Sequence, residues 1–149
     1  MQTLRHATFA DIPDLCALLA QLFGQEVEFV ADAATQARGL QRILEAPGGG
    51  DILVLTEDNR PVGMVSLLYL TSTALGSRVA LLEDMVVAPG QRGRGCGGQL
   101  LEAAIDCARQ RGCRRITLLT DGHNLDAQRF YRQHGFSGSD MKVMRLMLD

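Results

Sequence analysis

The sequence has no long hydrophobic stretch, although its 149 residues suffice for one sizeable core. No apolar run approaches the ~20 residues that a membrane-spanning helix needs, so no association with a membrane is expected. The first residues lack the basic and then apolar segments of a secretory signal, which predicts a cytoplasmic protein. Hydrophobic residues make up 46% of the chain and charged residues 21%, close to globular averages, and this favours a single folded domain over residues 1–149.

Cysteine and lysine are also scarce. The four cysteines form no Cys-x-x-Cys pair and have no histidine at metal-ligand spacing, so no metal site is expected. Without an export signal the four thiols are expected to be reduced. Lys142 is the only lysine, which excludes the Gly-Lys-Ser/Thr sequence of a P-loop nucleotide site.

The charges are unevenly divided along the chain. Residues 1–90 hold 11 acidic residues and 5 arginines, whereas residues 91–149 hold 10 basic and 6 acidic residues. This division favours a cationic ligand near the first part and an anionic ligand near the second, although solvated helix faces would give the same pattern. The positive charge of the second part is too small to indicate a nucleic-acid partner.

Hydrophobic periodicity predicts four helices and six strands. The helices are expected at residues 11–23, 33–45, 97–111 and 125–134, and the strands at 2–7, 51–56, 62–70, 79–87, 116–120 and 141–148. The order β-α-α-β-β-β-α-β-α-β places consecutive strands first and β-α-β crossovers later. It therefore predicts an α/β fold with a mixed sheet, antiparallel early and locally parallel later, with helices on its faces.

A glycine-rich loop between a predicted strand and a predicted helix is the strongest chemical signal. Glycines allow backbone N–H groups to come close to a ligand, and a helix N-terminus adds partial positive charge, so the loop predicts a pyrophosphate site. Its two arginines would contribute further positive charge. The candidate residues are Arg92, Gly93, Arg94, Gly95, Cys96, Gly97 and Gly98.

The spacing Gly93-x-Gly95-x-x-Gly98 also matches the dinucleotide fingerprint, with Asp121 at the end of the next strand. Two observations disfavour a nicotinamide-dependent oxidoreductase. Residues 88–92 separate the first glycine from its strand, and only 28 residues follow Asp121, too few for the second half of a doubly wound sheet.

Two motifs resemble those of the GNAT superfamily of acetyl-CoA-dependent N-acetyltransferases. They are Arg92-x-x-Gly95-x-Gly97 and the set Asn124, Ala127, Phe130, Tyr131, Gly135 and Phe136. The resemblance implies a twisted, mostly antiparallel central sheet in which strands 79–87 and 116–120 splay apart to admit acetyl-CoA. It also implies direct transfer of the acetyl group to an amine without a metal, and it leaves a homodimer as an option because dimers are common in the family.

The resemblance further assigns roles to single residues. The backbone of Val86 and Val87 would pair with the pantetheine arm, and Asn124 would hydrogen-bond the same arm or act as a helix N-cap. Tyr131, a phenol that is protonated at neutral pH, would donate a proton to the leaving thiolate. Cys96 would contribute only its backbone N–H, so no acyl-cysteine intermediate is expected.

Glu83 and Asp84 are the candidate bases, because both interrupt an apolar strand, where an unpaired charge is costly. Neighbouring strand residues face opposite sides, so one of the two is expected to point into the cleft, and Glu83, acting through water, is preferred. A salt-bridged structural role is the alternative for each. Glu26 and Glu28, with Glu83, would line the acceptor side.

These acidic residues favour a small cationic amine as acceptor. A protein N-terminus or a lysine side chain is the alternative acceptor. A protein of another class, a CoA-binding sensor without catalysis, is also compatible with the fold.

Overall fold

The computed structural model describes residues 1–23 and 32–149. The strands are β1 (Gln2–His6), β2 (Gly50–Glu57), β3 (Arg60–Ser72), β4 (Ser77–Val87) and β5 (Ile116–Leu118), and the helices are α1 (Ile12–Phe23), α2 (Ala33–Leu44), α3 (Cys96–Gln110) and α4 (Leu125–Gln133). Among the described helices, none combines the length and apolar character needed to cross a membrane. The chain divides into two compact units, Met1–Leu119 and Thr120–Asp149.

The first unit is built on a five-stranded sheet with the order β1-β2-β3-β4-β5. The first four strands pair antiparallel, and β5 pairs parallel with β4. A two-residue turn joins β2 to β3, and both of its residues have positive φ, 50° at Asp58 and 68° at Asn59. This is the backbone that a twisted hairpin requires, and short polar residues tolerate it. The predicted mixed sheet is thus confirmed.

Helices cover both faces of this sheet. One core cluster contains apolar side chains of α1 and α2 together with alternate residues of β2, namely Leu15, Leu18, Leu19, Leu40, Ile52 and Val54. Because side chains alternate along a strand, Leu53 and Leu55 point to the other face, which α3 covers. Burial of every residue from Asp51 to Thr56 follows from this two-sided packing.

A glycine in β3 lets α3 lie close to the sheet. A Cβ atom placed on Gly63 would stand 2.7 Å from Leu100 Cδ1 and 3.3 Å from the Val86 carbonyl oxygen. A side chain at this position would therefore force the buried Leu100 side chain to shift. Gly63 thus allows the first turns of α3 to pack close to the sheet.

Asp11 anchors the start of α1. Its carboxylate accepts hydrogen bonds from Arg5 Nη1 at 2.7 Å and Arg5 Nη2 at 2.9 Å, and from the Thr8 backbone N–H at 2.8 Å. The Arg5 hydrogen bonds are the main reason that the pKa of Asp11 falls to about 2, although burial opposes the shift. The Asp11 carboxylate thus links β1 to the helix entry.

The second unit contains α4 and a long C-terminal segment. The predicted strand at 141–148 is wrong, since the structure gives regular secondary structure to none of the described residues after Gln133. The apolar side chains of residues 141–148 are exposed, from 58% at Val143 to 94% at Met144. A strand is stabilised by its ladder partner and by burial of one face, and this segment has neither here.

Candidate active site

The predicted phosphate-binding segment, residues 92–98, follows β4 and includes the first residues of α3; it is called the phosphate cradle below. Gly93 and Gly95 have φ values of 80° and 78°, and Gly95 is the N-cap of α3. L-residues with side chains rarely adopt this left-handed conformation, so the loop depends on glycine at both positions. A Cβ atom on either glycine would meet nothing within 4 Å, which means that open space lies above the loop.

The N-terminus of α3 has the features of an anion site. The first N–H groups of an α-helix have no partner within the helix, and no side chain from the described part of the chain caps this one. The first helical bond runs from the Gln99 N–H to the Gly95 carbonyl at 3.1 Å. No acidic residue lies in the first turn, so nothing there offsets the positive end of the helix dipole.

Both cradle arginines are exposed and have partners in the loop or next to it. Arg92 Nε donates to the Val87 carbonyl oxygen at 3.2 Å. Arg94 Nη1 donates to Gln91 Oε1 at 2.8 Å and lies 3.7 Å from Glu57 Oε2. These exposed contacts are weak, so either guanidinium can turn toward an anion at small cost.

Cys96 lies at the first position of α3 with its side chain 1% exposed. Its Sγ accepts from Gln2 Nε2 at 3.5 Å, beneath the cradle. The thiol is therefore directed into the protein, and only the backbone of Cys96 faces the cradle.

Parallel pairing between β4 and β5 is short. It runs only from Ala80 opposite Ile116 to Leu82 opposite Leu118. Among the described residues no strand continues this edge of β4, so five further residues of β4, including Val86 and Val87, extend past the pairing. On its other edge β4 remains paired with β3, with Met64 opposite Val86.

A β-bulge interrupts β4 at the two candidate bases. Ser66 of β3 pairs with Glu83 while Met64 pairs with Val86, so β4 has one residue more than β3 between these pairs. Asp84 takes up the difference with a φ of 49°. Side chains do not alternate across a bulge, so the expectation that Glu83 and Asp84 face opposite sides loses its basis. Both side chains are half-buried.

The other candidate residues described by the structure lie in the second unit. Asn124 is the N-cap of α4, where its Oδ1 accepts from the Ala127 N–H at 3.1 Å. The half-buried ring of Tyr131 packs edge-on against Phe130 and Phe136, with centroids 5.2 Å and 5.6 Å away. Burial raises the pKa of Tyr131, which keeps the phenol protonated at neutral pH.

Two predicted acceptor-site residues, Glu26 and Glu28, lie outside the described residues. His123 is exposed, and His134 lies 3.0 Å from the Phe130 carbonyl oxygen through its Nδ1.

Sequence reasoning missed a polar cluster at the other end of α3. Asp51 of β2, 7% exposed, accepts hydrogen bonds from Arg111 Nε at 2.9 Å, from Arg111 Nη2 at 3.0 Å, from Cys107 Sγ at 3.4 Å and from the Tyr69 hydroxyl. His6 Nδ1 lies 3.4 Å from Asp51 Oδ1. These five residues, the Asp51 cluster, come from β1, β2, β3 and the end of α3. No local sequence pattern joins them.

The cluster keeps Asp51 ionised. Burial alone would raise the pKa of Asp51, but its hydrogen bonds, that from Arg111 foremost, hold the pKa below its ordinary value. Burial and the bond to Asp51 raise the pKa of the Tyr69 hydroxyl. A charged, hydrogen-bonded carboxylate therefore ties the sheet to the C-terminal end of α3.

Comparison with known proteins agrees with this geometry. The model of the acetyltransferase (GNAT) family matches residues 13–136. An uncharacterised N-acetyltransferase of Bacillus subtilis is 34% identical over 123 residues, which cover 80% of this chain and 82% of the relative. The aminoalkylphosphonate N-acetyltransferase of Salmonella typhimurium is 31% identical over 144 residues, covering 97% of this chain and 90% of that enzyme.

A solved structure gives the same result. A protein from Agrobacterium tumefaciens assigned as an acetyltransferase superposes with a TM-score of 0.83 at 29% identity, over 97% of this chain and 99% of the other. The glycine-rich start of α3 and the short β4–β5 pairing thus occur in a chain that matches the family model over most of its length. The chain belongs to the GNAT family and is an acetyl-CoA-dependent N-acetyltransferase.

Proposed function

We propose that the protein transfers the acetyl group of acetyl-CoA directly to the primary amine of a small molecule, and that small cationic amines are preferred. The phosphate cradle is the observation that most strongly supports acetyl-CoA as the donor. Its helix N-terminus suits a diphosphate, and the edge of β4 at Val86 and Val87, which no strand among the described residues pairs, would offer backbone groups to an extended arm. Both features lie within the first unit, and the two candidate bases are in β4 itself.

Donor binding uses mainly backbone groups. The N–H groups at the start of α3 would hold the diphosphate, and Arg92 and Arg94 would add charge-assisted hydrogen bonds. Past Leu82, the edge of β4 would pair with the pantetheine arm through Val86 and Val87, and a backbone N–H there would polarise the thioester carbonyl. Asn124 would add a bond to the arm through its Nδ2, because its Oδ1 serves as the helix cap.

The transfer requires two proton movements. An alkylamine titrates near pH 10, so the acceptor arrives as ammonium and must lose a proton before it attacks the thioester carbon. Glu83, acting through water, is the preferred acceptor of that proton and Asp84 the second candidate. When the carbon–sulfur bond breaks, Tyr131 donates its hydroxyl proton to the thiolate. The raised pKa of Tyr131 agrees with this role, since it keeps the donor protonated.

Two observations support the choice of a small cationic acceptor. The Salmonella relative, which this chain matches over nearly its whole length, is named for an aminoalkylphosphonate substrate, which is a small molecule. The acidic first part of the sequence, with Glu26 and Glu28 among its residues, favours a cationic group on the acceptor. A protein N-terminus or a lysine side chain is the alternative acceptor. A homodimer, a cytoplasmic location and a single domain remain predictions.

The proposal is tested by incubating the protein with acetyl-CoA and a panel of amines while free CoA thiol is measured. The panel should contain polyamines, aminoalkylphosphonates, aminoglycosides, amino acids and short peptides. Turnover with small amines and none with peptides is expected. Turnover with peptides alone would contradict the small-molecule proposal, and acetyl-CoA binding without turnover on any amine would indicate a sensor.

The two proton-transfer roles have separate tests. Tyr131→Phe and Glu83→Gln should each lower kcat/KM about 100-fold, the lower end of the range for general acid–base catalysis, with acetyl-CoA affinity unchanged. Loss of the base should also remove the acid limb of the pH profile of kcat/KM. Asp84→Asn is the matched control, because Asp84 is the neighbouring half-buried acid in the bulge. An unchanged profile in Glu83→Gln, with a changed one in Asp84→Asn, would transfer the role to Asp84.

A further inference from the structure

The Asp51 cluster brings together three different metal-binding atoms from three elements. His6 Nδ1 at the end of β1 lies 3.4 Å from Asp51 Oδ1, and Cys107 Sγ of α3 lies 3.4 Å from Asp51 Oδ2. One nitrogen, one oxygen and one sulfur atom lie within 4.8 Å of one another. Asp51 and Cys107 are buried, whereas His6 is on the solvent side.

This spacing suits a small divalent ion. Zinc binds sulfur at about 2.3 Å and nitrogen or oxygen at about 2.0–2.2 Å, so the ligand atoms of a tetrahedral site stand roughly 3.3–3.7 Å apart. The distances from His6 Nδ1 to Asp51 Oδ1 and from Cys107 Sγ to Asp51 Oδ2 are both near this value, and the exposed His6 ring can turn so that one carboxylate oxygen and the other two atoms bind the same ion. We propose that His6, Asp51 and Cys107 form a binding site for a thiophilic divalent metal of the zinc type, with water as fourth ligand.

Binding exchanges a proton for the metal. The Cys107 S–H bond breaks, the proton leaves to solvent, and a sulfur–metal bond forms. No electron is transferred. The thiol hydrogen bond to Asp51 is lost, but the carboxylate keeps its bonds from Arg111 and Tyr69, which orient it as outer-shell groups orient metal ligands. The positive charge of Arg111 beside the carboxylate repels a divalent cation and lowers the affinity of the site for the metal.

The site is separate from acetyl transfer. Cys107 is eleven residues after Cys96 along α3, which corresponds to roughly 16 Å along the helix axis. A metal there would connect β1 and β2 to the C-terminal end of α3, away from the phosphate cradle. The role is therefore structural, and it can fail or hold independently of the proposed function.

The test is a titration of the chelator-treated protein with Co²⁺ and, in parallel, Zn²⁺. Wild type should show a thiolate-to-cobalt charge-transfer band and a raised Tm with either ion. Cys107→Ser and His6→Gln should lose the band or weaken binding at least about 10-fold, the scale for disturbed ligand shells. Cys113→Ser is the matched control, since Cys113 is a half-buried thiol that is not among the three metal-binding atoms, and it should behave as wild type.

Two further outcomes are decisive. Absence of the band in wild type, or its persistence in Cys107→Ser, would overturn the site. Because His6 is exposed, His6→Gln keeps the test valid even if Cys107→Ser does not fold. Acetyl transfer should be the same with and without the metal.

Discussion

The two ends of α3 differ in how their polar groups are satisfied. At the N-terminal end the backbone N–H groups are uncapped, the loop is glycine-rich and its arginines make weak exposed contacts. At the C-terminal end one buried carboxylate accepts hydrogen bonds from three side chains. An anionic ligand can bind at the N-terminal end, because the N–H groups there are otherwise hydrogen-bonded to solvent. The C-terminal end stabilises the fold, because removing one hydrogen-bonding group there leaves the other groups without a partner.

The same conformation occurs at both ends of the helix. Gly95 has a φ of 78° before α3 and Gly112 a φ of 80° after it, and an added Cβ would meet nothing at either position. Around Gly112, however, the polar groups are used: its N–H donates to the Arg109 carbonyl and its own carbonyl accepts from Ser77 Oγ. Substitutions at these two glycines therefore distinguish the effect of backbone strain on stability from the effect of a side chain on ligand binding.

The largest expected effect comes from Gly95→Val compared with Gly112→Val. Both variants should lose stability through positive φ, by about 1–2 kcal/mol. Only Gly95→Val places a side chain over the cradle and should weaken acetyl-CoA binding at least ~100-fold, the scale for displacing a bound group by about 1 Å. Thermal unfolding and calorimetric titration measure the two effects. Equal affinity in the two variants would mean that the cradle is not the diphosphate site.

Asp51→Ala should show the opposite behaviour. It leaves Arg111, Tyr69 and Cys107 without their shared acceptor, so the free energy of unfolding should fall by about 3 kcal/mol, the upper end for leaving hydrogen-bonding groups without a partner. Acetyl-CoA affinity should stay within about twofold of wild type, since the cradle is untouched. Asp106→Ala, whose carboxylate forms an exposed pair with Arg109, is the control and should change stability by less than about 0.5 kcal/mol. Denaturant unfolding in the presence of a chelator measures both.

A smaller effect is expected at a second paired carboxylate, Asp11. Its folded-state pKa of about 2 lies below the ordinary value of 3.8, so its ionised form stabilises the fold at pH values above the ordinary pKa. This contribution, about 2 kcal/mol, should disappear as the pH falls from about 4 to about 2. Asp11→Asn should lack this part of the pH dependence, as unfolding at stepped pH would reveal. A variant profile parallel to that of wild type would contradict the assignment, and Asp14→Asn on the exposed side of α1 is the control.

Local signals explain the parts of the fold that the sequence predicted well. The apolar spacing of α1 and the turn residues between β2 and β3 act over a few positions, and the corresponding elements appear within one or two residues of their expected limits. The phosphate cradle was predictable for the same reason, because glycines, arginines and a helix start are adjacent in the chain. The strand expected at 141–148 did not form, because weak alternation without a pairing edge is not sufficient.

The sequence by itself determined the cradle, the mixed sheet and the family, since each depends on neighbouring residues or on the order of elements. Only the tertiary structure decided the bulge at Asp84, where the pairing of β3 with β4 absorbs an extra residue. Only the tertiary structure also brought His6, Asp51 and Cys107 within contact distance. The physical reason is that hydrogen-bond partners separated by dozens of residues are brought together by the register of the sheet and the packing of the helix on it. The composition of a short segment determines neither the register nor the packing.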